Sequence, residues 1–170
     1  MKNMMGCIIG RDKSKMHGHM PRVFEHPPIK RRRSKPPMRG PHRGGEFIES
    51  CKVFHRNIIR LLKAIPPSLS VIDGFEAMGG NGPCFGEMVS LGVAVASSNY
   101  VAADAVMSKV LGFDPLSIGY IYYANKKGLG CGNLSKIEII GEKIEDVKIK
   151  LKPHPNYEDE MKWRLSEWYP

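Results

Sequence analysis

The stretch that most constrains the fold is a short apolar run, Leu91 to Ala96, followed at once by Ser97-Ser98-Asn99 and then by Val101 to Leu111. Six apolar residues without a polar break suit a strand covered on both faces. The polar triplet offers N-cap chemistry, and Gly112 supplies a stop for the helix that follows. Strand, cap and helix in direct succession are the unit from which α/β sheets are built.

The rest of the chain fits that alternation. Met1 to Ile9 reads as a short strand broken at Gly6, and a polar, histidine-containing segment runs from Gly10 to Met20. Pro21 to Gly45 is rich in Pro, Arg and Gly, a composition that buries too little apolar surface to order itself, so a mobile or extended loop is expected. From Glu46 to Ile65, Phe47, Cys51, Phe54, Ile58, Leu61, Leu62 and Ile65 recur at spacings of three and four, one face of a helix. Lys52, Arg56, Arg60 and Lys63 take the other face, and Pro66-Pro67 stop the helix. Leu69 to Ile72 is a β-type run ending in Asp73-Gly74, before a glycine-rich loop from Met78 to Pro83. Pro115 opens a further helix to about Lys127, and Ile137 to Ile140 and Val147 to Leu151 read as two more strands around Gly141. The expected fold is therefore α/β, three-layered, with a mainly parallel sheet and flanking helices. Residues 1–152 form one domain in this reading, and 153–170 a polar tail with Trp163 and Trp168 available to dock on the core.

Composition excludes several classes. No stretch approaches the roughly 20 apolar residues that span a bilayer, and the first residues lack the apolar core of a signal peptide, so a cytoplasmic location is expected. Cys7, Cys51, Cys84 and Cys131 stand far apart, with neither C-x-x-C zinc spacing nor an iron–sulfur cluster motif. The formal charge of +9 is uneven: through Pro66 there are 16 Lys or Arg against 4 Asp or Glu, and from Pro67 there are 10 against 13. The run Lys30-Arg31-Arg32-Arg33-Ser34-Lys35 is either a solvated loop or a contact for phosphates or an acidic partner. No aromatic residue interleaves with it, which disfavours nucleic acid.

Three constellations can carry chemistry. Asp73 would stand at a strand end, where ligands of open α/β sheets collect, and Gly79, Gly80, Asn81 and Gly82 would let backbone amides approach an anion; the same glycines also suit a packing turn. Asp104, in the first turn of the helix after Asn99, is either a dipole-stabilising residue or a second carboxylate in that crevice. Asp73 and Asp104 together could hold a divalent metal or divide acid and base roles. Lys13, His17 and His19 lie in a polar loop, where histidine can bind a metal, move a proton or simply face solvent.

These segments also resemble a known family. Lys2-Asn3-Met4-Met5-Gly6 with Lys13 and His17, Ser70-Val71-Ile72-Asp73-Gly74 with Gly80-Asn81-Gly82-Pro83 and Gly86, and Ala96-Ser97 with Val101 to Ala105 and Leu111-Gly112 are similar to stretches of the domain of unknown function 362 family. Gly128-Leu129-Gly130 and Ile139-Ile140-Gly141-Glu142 resemble its closing segments, so the ordered set runs from Lys2 to about Leu151 and looks like the family's C-terminal part. The resemblance implies an α/β domain often found beside iron–sulfur ferredoxin modules, hence a redox-associated role and a ferredoxin-type partner. It adds Lys2 and Asn3 to the ligand-binding candidates. Where the family has Asp-Pro before the helix, Asn99-Tyr100 stands here, which removes a carboxylate from any metal site. Family members carry a substantial segment before the Lys-Asn stretch, so an incomplete domain is expected, with sheet edges that invite a homo-oligomer or a missing N-terminal half.

Two functions follow as expectations. One is a redox-associated domain binding a metal or anionic ligand at a strand-end crevice of Asp73, Gly79 to Gly82 and Asp104, approached by Lys13 and His17. The other is a non-catalytic binding or assembly subunit, half of a split protein, whose basic loop docks an acidic partner or nucleic acid.

Overall fold

A computed structural model describes residues 1–8, 16, 45–82 and 85–165. The expected candidates Lys13, His17 and His19, Pro83, Cys84, Trp168 and the basic run Lys30 to Lys35 lie outside the described residues.

The helix ending at the proline pair forms as its spacing predicts: α1 spans Gly45–Ala64. Its buried residues are Ile58, Ile59 and Leu62, while Ile65 is exposed. Lys52, expected on the solvent side, is buried and bonds Glu49 at 2.6 Å, so the inward face is turned from the one the large apolar residues suggested.

Two strands follow, β1 (Ser70–Asn81) and β2 (Phe85–Ser97). They pair antiparallel as a two-stranded sheet, with Val71 opposite Ala96 and Met78 opposite Met88. The mainly parallel, three-layer arrangement is thus corrected to a mixed helix–strand fold around one β ribbon. The glycine-rich stretch Met78 to Asn81 is part of β1 rather than a loop. Midway, Leu91 and Gly92 of β2 face the single Phe75 of β1, a bulge that Gly92 permits with φ +68°.

The helix after the ribbon, α2 (Tyr100–Val110), is buried nearly all round, at Tyr100, Val101, Ala102, Ala103, Ala105, Met107 and Val110. One side meets the ribbon, where Met107 and Val110 pack with Ile72, Leu91, Val93 and Val95. The other meets α1 and α3 (Gly119–Lys126), where Val101 and Ala105 join Ile58, Ile59, Leu62, Ile121, Ala124 and Trp163. Burying each of the larger aliphatic side chains contributes about 1.5–3 kcal/mol.

Four other segments differ from expectation. Lys2–Cys7 is a 3₁₀ helix, not a strand. Pro115–Ser117 forms a separate 3₁₀ turn before α3. Ile137 to Ile140 has no ladder partner among the described residues, and Ile140 is 92% exposed. Ile144–Val147 is a short helix, α4, and Ile149 and Leu151 beyond it donate to the carbonyls of Val110 and Leu111 instead of joining the sheet. Within the tail, α5 (Tyr157–Glu160) leads to Met161–Leu165, where Trp163 is 3% exposed and donates its indole N–H to the Ser117 carbonyl at 3.1 Å.

Candidate functional site

The segments singled out in the sequence meet around the N-terminal half of α2. Asn99 caps that helix: its Oδ1 accepts from the amides of Val101 and Ala102, both at 3.1 Å, and from Cys131 at 3.4 Å. The amide thus performs the capping that a carboxylate at this position would, without the charge. Gly130 is required beside it, because a Cβ there would lie 2.4 Å from Asn99 Oδ1.

One turn on, Asp104 receives the α-ammonium of Met1 at 3.0 and 3.1 Å, a pair in which the Met1 side chain is fully covered. Burial raises the Asp104 carboxyl above its usual range, and the amine partly offsets that through its charge and hydrogen bond. Tyr120 of α3 stands near enough for the same carboxylate to add to the effect of burial in raising its phenol.

Next to Tyr120 lies His55. Its ring is 5.9 Å from those of Phe54 and Tyr120 and 5.7 Å from Trp163, and it packs on Gly119, where a Cβ would come within 2.3 Å of it. Burial lowers its pKa from 6.5 to about 4, and its Nδ1 is buried with no hydrogen-bond partner among the described residues. Sequence reasoning passed over this cluster. The available signal was spacing, since His55 follows Cys51 by four and precedes Ile58 and Ile59 on the stripe that faces inward.

Asp73 and Asp104 do not converge on one crevice. Gly74 faces α2, where a Cβ would be 2.7 Å from the Met107 methyl, so its neighbour Asp73 points away from the helix that carries Asp104. Asp73 accepts from the Phe75 amide at 2.9 Å. The glycines serve the ribbon: Gly80 adopts φ +74° and donates to the Lys152 carbonyl at 2.8 Å, and Gly82 donates to Gly80 at 3.0 Å. Gly79 lies against Leu151 and Lys152. Asn81 closes β1 opposite Phe85. Lys2 is exposed with its ammonium 5.6 Å from the Phe54 ring, and Asn3 is exposed beside it. Among the described residues no three His, Cys, Asp or Glu side chains are grouped as metal ligands.

The profile of a family described as domain of unknown function (DUF362) matches residues 1–109, from the 3₁₀ segment to the last turn of α2. The chain belongs to the DUF362 family. The matched span takes in the 3₁₀ helix Lys2–Cys7, α1, the ribbon and α2, whereas the likenesses read at Gly128–Gly130 and Ile139–Glu142 fall beyond it. A curated relative of this DUF362 chain, named thylakoid-associated protein sll1697 and found in Synechocystis sp., is 29% identical over 129 residues. Those residues are 76% of this chain and 32% of the relative, so the match spans about a third of that protein's length. No solved structure matches. No described helix is long and apolar enough to cross a membrane.

Proposed function

We propose that this DUF362 chain is a docking component of a larger assembly, in which a further polypeptide covers its β ribbon. The observation that carries this reading is the ribbon's outer face, where Val71, Phe75 and Met88 are all more than half exposed. The inner face is covered by α2, and nothing among the described residues covers the outer one. A hairpin of two strands is marginal on its own, and its unpaired edges template further pairing. The relative lends support, since its matched stretch is accompanied by about twice as much further chain.

The strand-end crevice holding a metal or anion finds less support. The amides of Gly80 and Gly82 are already donated, and Asp104 is already paired with an amine. Thylakoid association belongs to the relative's name. In this chain, attachment to a membrane-bound complex would run through a protein surface such as the ribbon.

The test replaces Val71, Phe75 and Met88 with Thr, Ser and Thr in the full chain, expressed with a tag in its own cells. Native size measurement should show the unaltered protein in a larger complex and the variant at the mass of one chain. Unaltered protein at single-chain mass, or a variant that stays in the complex, would overturn the reading.

A further inference from the structure

The ribbon's charge identifies what kind of polypeptide fits it. Between Ala64 and Ser108 there is no Lys or Arg, in a chain whose formal charge is +9. Asp73 and Glu76 are exposed on the outer face on either side of Phe75. Among the described residues neither carboxylate meets a cation, whereas Glu87 pairs with Lys152.

Shape adds to charge. On the outer face beyond Met88, β2 presents Ser90, Gly92, Ala94 and Ala96, small residues that floor a trough beside Val71, Asp73, Phe75 and Glu76 of β1. The edge of β1 is engaged at Gly80 by the Lys152 carbonyl, while β2 has no second neighbour among the described residues. A strand added beside β2 would stand about 10 Å from β1, twice the usual interstrand spacing. A Lys or Arg side chain lying over the small residues reaches across that gap to a carboxylate on β1.

We propose that the open edge of β2 accepts a strand in which apolar residues alternate with Lys or Arg. This rests on the docking reading above and specifies the partner. Backbone pairing along β2 gives the attachment, and alternate side chains of the added strand fall on the outer face, where the cations meet Asp73 and Glu76. A second copy of the ribbon would set Asp73 and Glu76 against their own counterparts, and an anionic lipid surface would meet the same repulsion.

The test uses the full chain and two fluorescent nine-residue peptides, one alternating Val with Arg and one alternating Val with Glu. The chain's net charge opposes the Arg peptide, so a preference for it reports the ribbon. Expected is at least tenfold tighter binding of the Arg peptide, with amide shifts along Phe85 to Ser97. Asp73→Lys with Glu76→Lys should reverse the preference, and Ala94→Trp should block the trough and abolish binding. Equal affinity for both peptides, or a preference the double variant leaves unchanged, overturns the proposal. Binding that appears only after residues 29–41 are deleted would assign the face to the chain's own basic run and overturn it as well. Self-association through the ribbon would do the same in favour of a second copy. If the polar-face variant leaves the native complex while the peptides show no charge preference, the docking reading stands and the cationic strand alone is lost.

Discussion

Gly74 and Met107 are in contact across the seam between ribbon and helix, so closely that a Cβ on Gly74 would sit 2.7 Å from the Met107 methyl and 2.9 Å from the Val93 carbonyl. The methyl can swing aside, but the backbone carbonyl cannot without moving β2. Gly74→Val is expected to destabilise the fold by about 1–3 kcal/mol, the usual cost of overpacking. Urea denaturation compares the two proteins, and Met107→Ala in the Gly74→Val background should recover little, because the carbonyl clash remains.

The cap on α2 is a second point of leverage. Asn99→Ala removes an acceptor shared by Val101, Ala102 and Cys131, and should cost about 1–2 kcal/mol. Asn99→Asp keeps the acceptor and adds a charge favoured at a helix N-terminus, so it should cost little or nothing. Thermal unfolding of both variants checks the order, and equal losses would show that the amide group matters beyond its oxygen.

His55 makes stability depend on pH. Unfolded, it protonates near its ordinary 6.5; folded among Phe54, Tyr120 and Trp163, it resists protonation until about 4. Between those values the unfolded chain binds more protons, so stability is complete above pH 6.5 and falls as pH drops toward 4. The size of the loss is about 3 kcal/mol. Asp104, raised by burial above its ordinary carboxylate value, acts with the opposite sign as pH falls through its own titration, so the His55 contribution is read as a difference. Denaturation of the unaltered protein and of His55→Phe from pH 4 to 7.5 should give a slope in the former that the variant lacks.

The cysteines should separate by reactivity. Cys7 is exposed, while the Cys51 thiol is pushed up to about 12 by burial and then by the negative charge of Glu160. Only the thiolate reacts readily. Iodoacetamide at pH 8, followed by peptide mass mapping, should label Cys7 well before Cys51, and Glu160→Gln should narrow that gap only slightly. Equal labelling rates would contradict the burial of Cys51.

The sequence by itself determined the local elements whose signals are covalent or periodic. Proline at 66 and 67 ends α1 within a residue of where the spacing says, and the polar triplet before Val101 contains the cap that α2 uses, at Asn99. Membership of the DUF362 family was also legible, because several short motifs stand in the expected order within the matched span. What only the tertiary structure decided is how the strands pair. Leu91 to Ala96 read as apolar throughout because Gly92, Ala94 and Ala96 count as apolar, yet these are the exposed positions and Leu91, Val93 and Val95 the inward ones. Small residues tolerate either side of a sheet, so hydropathy could not reveal the alternation of a one-sided ribbon. The same limit applies at Ile137 to Ile140, where strand propensity is strong but no partner strand is present among the described residues. A ladder is a bond between two segments, and its existence is fixed by where the second segment lies.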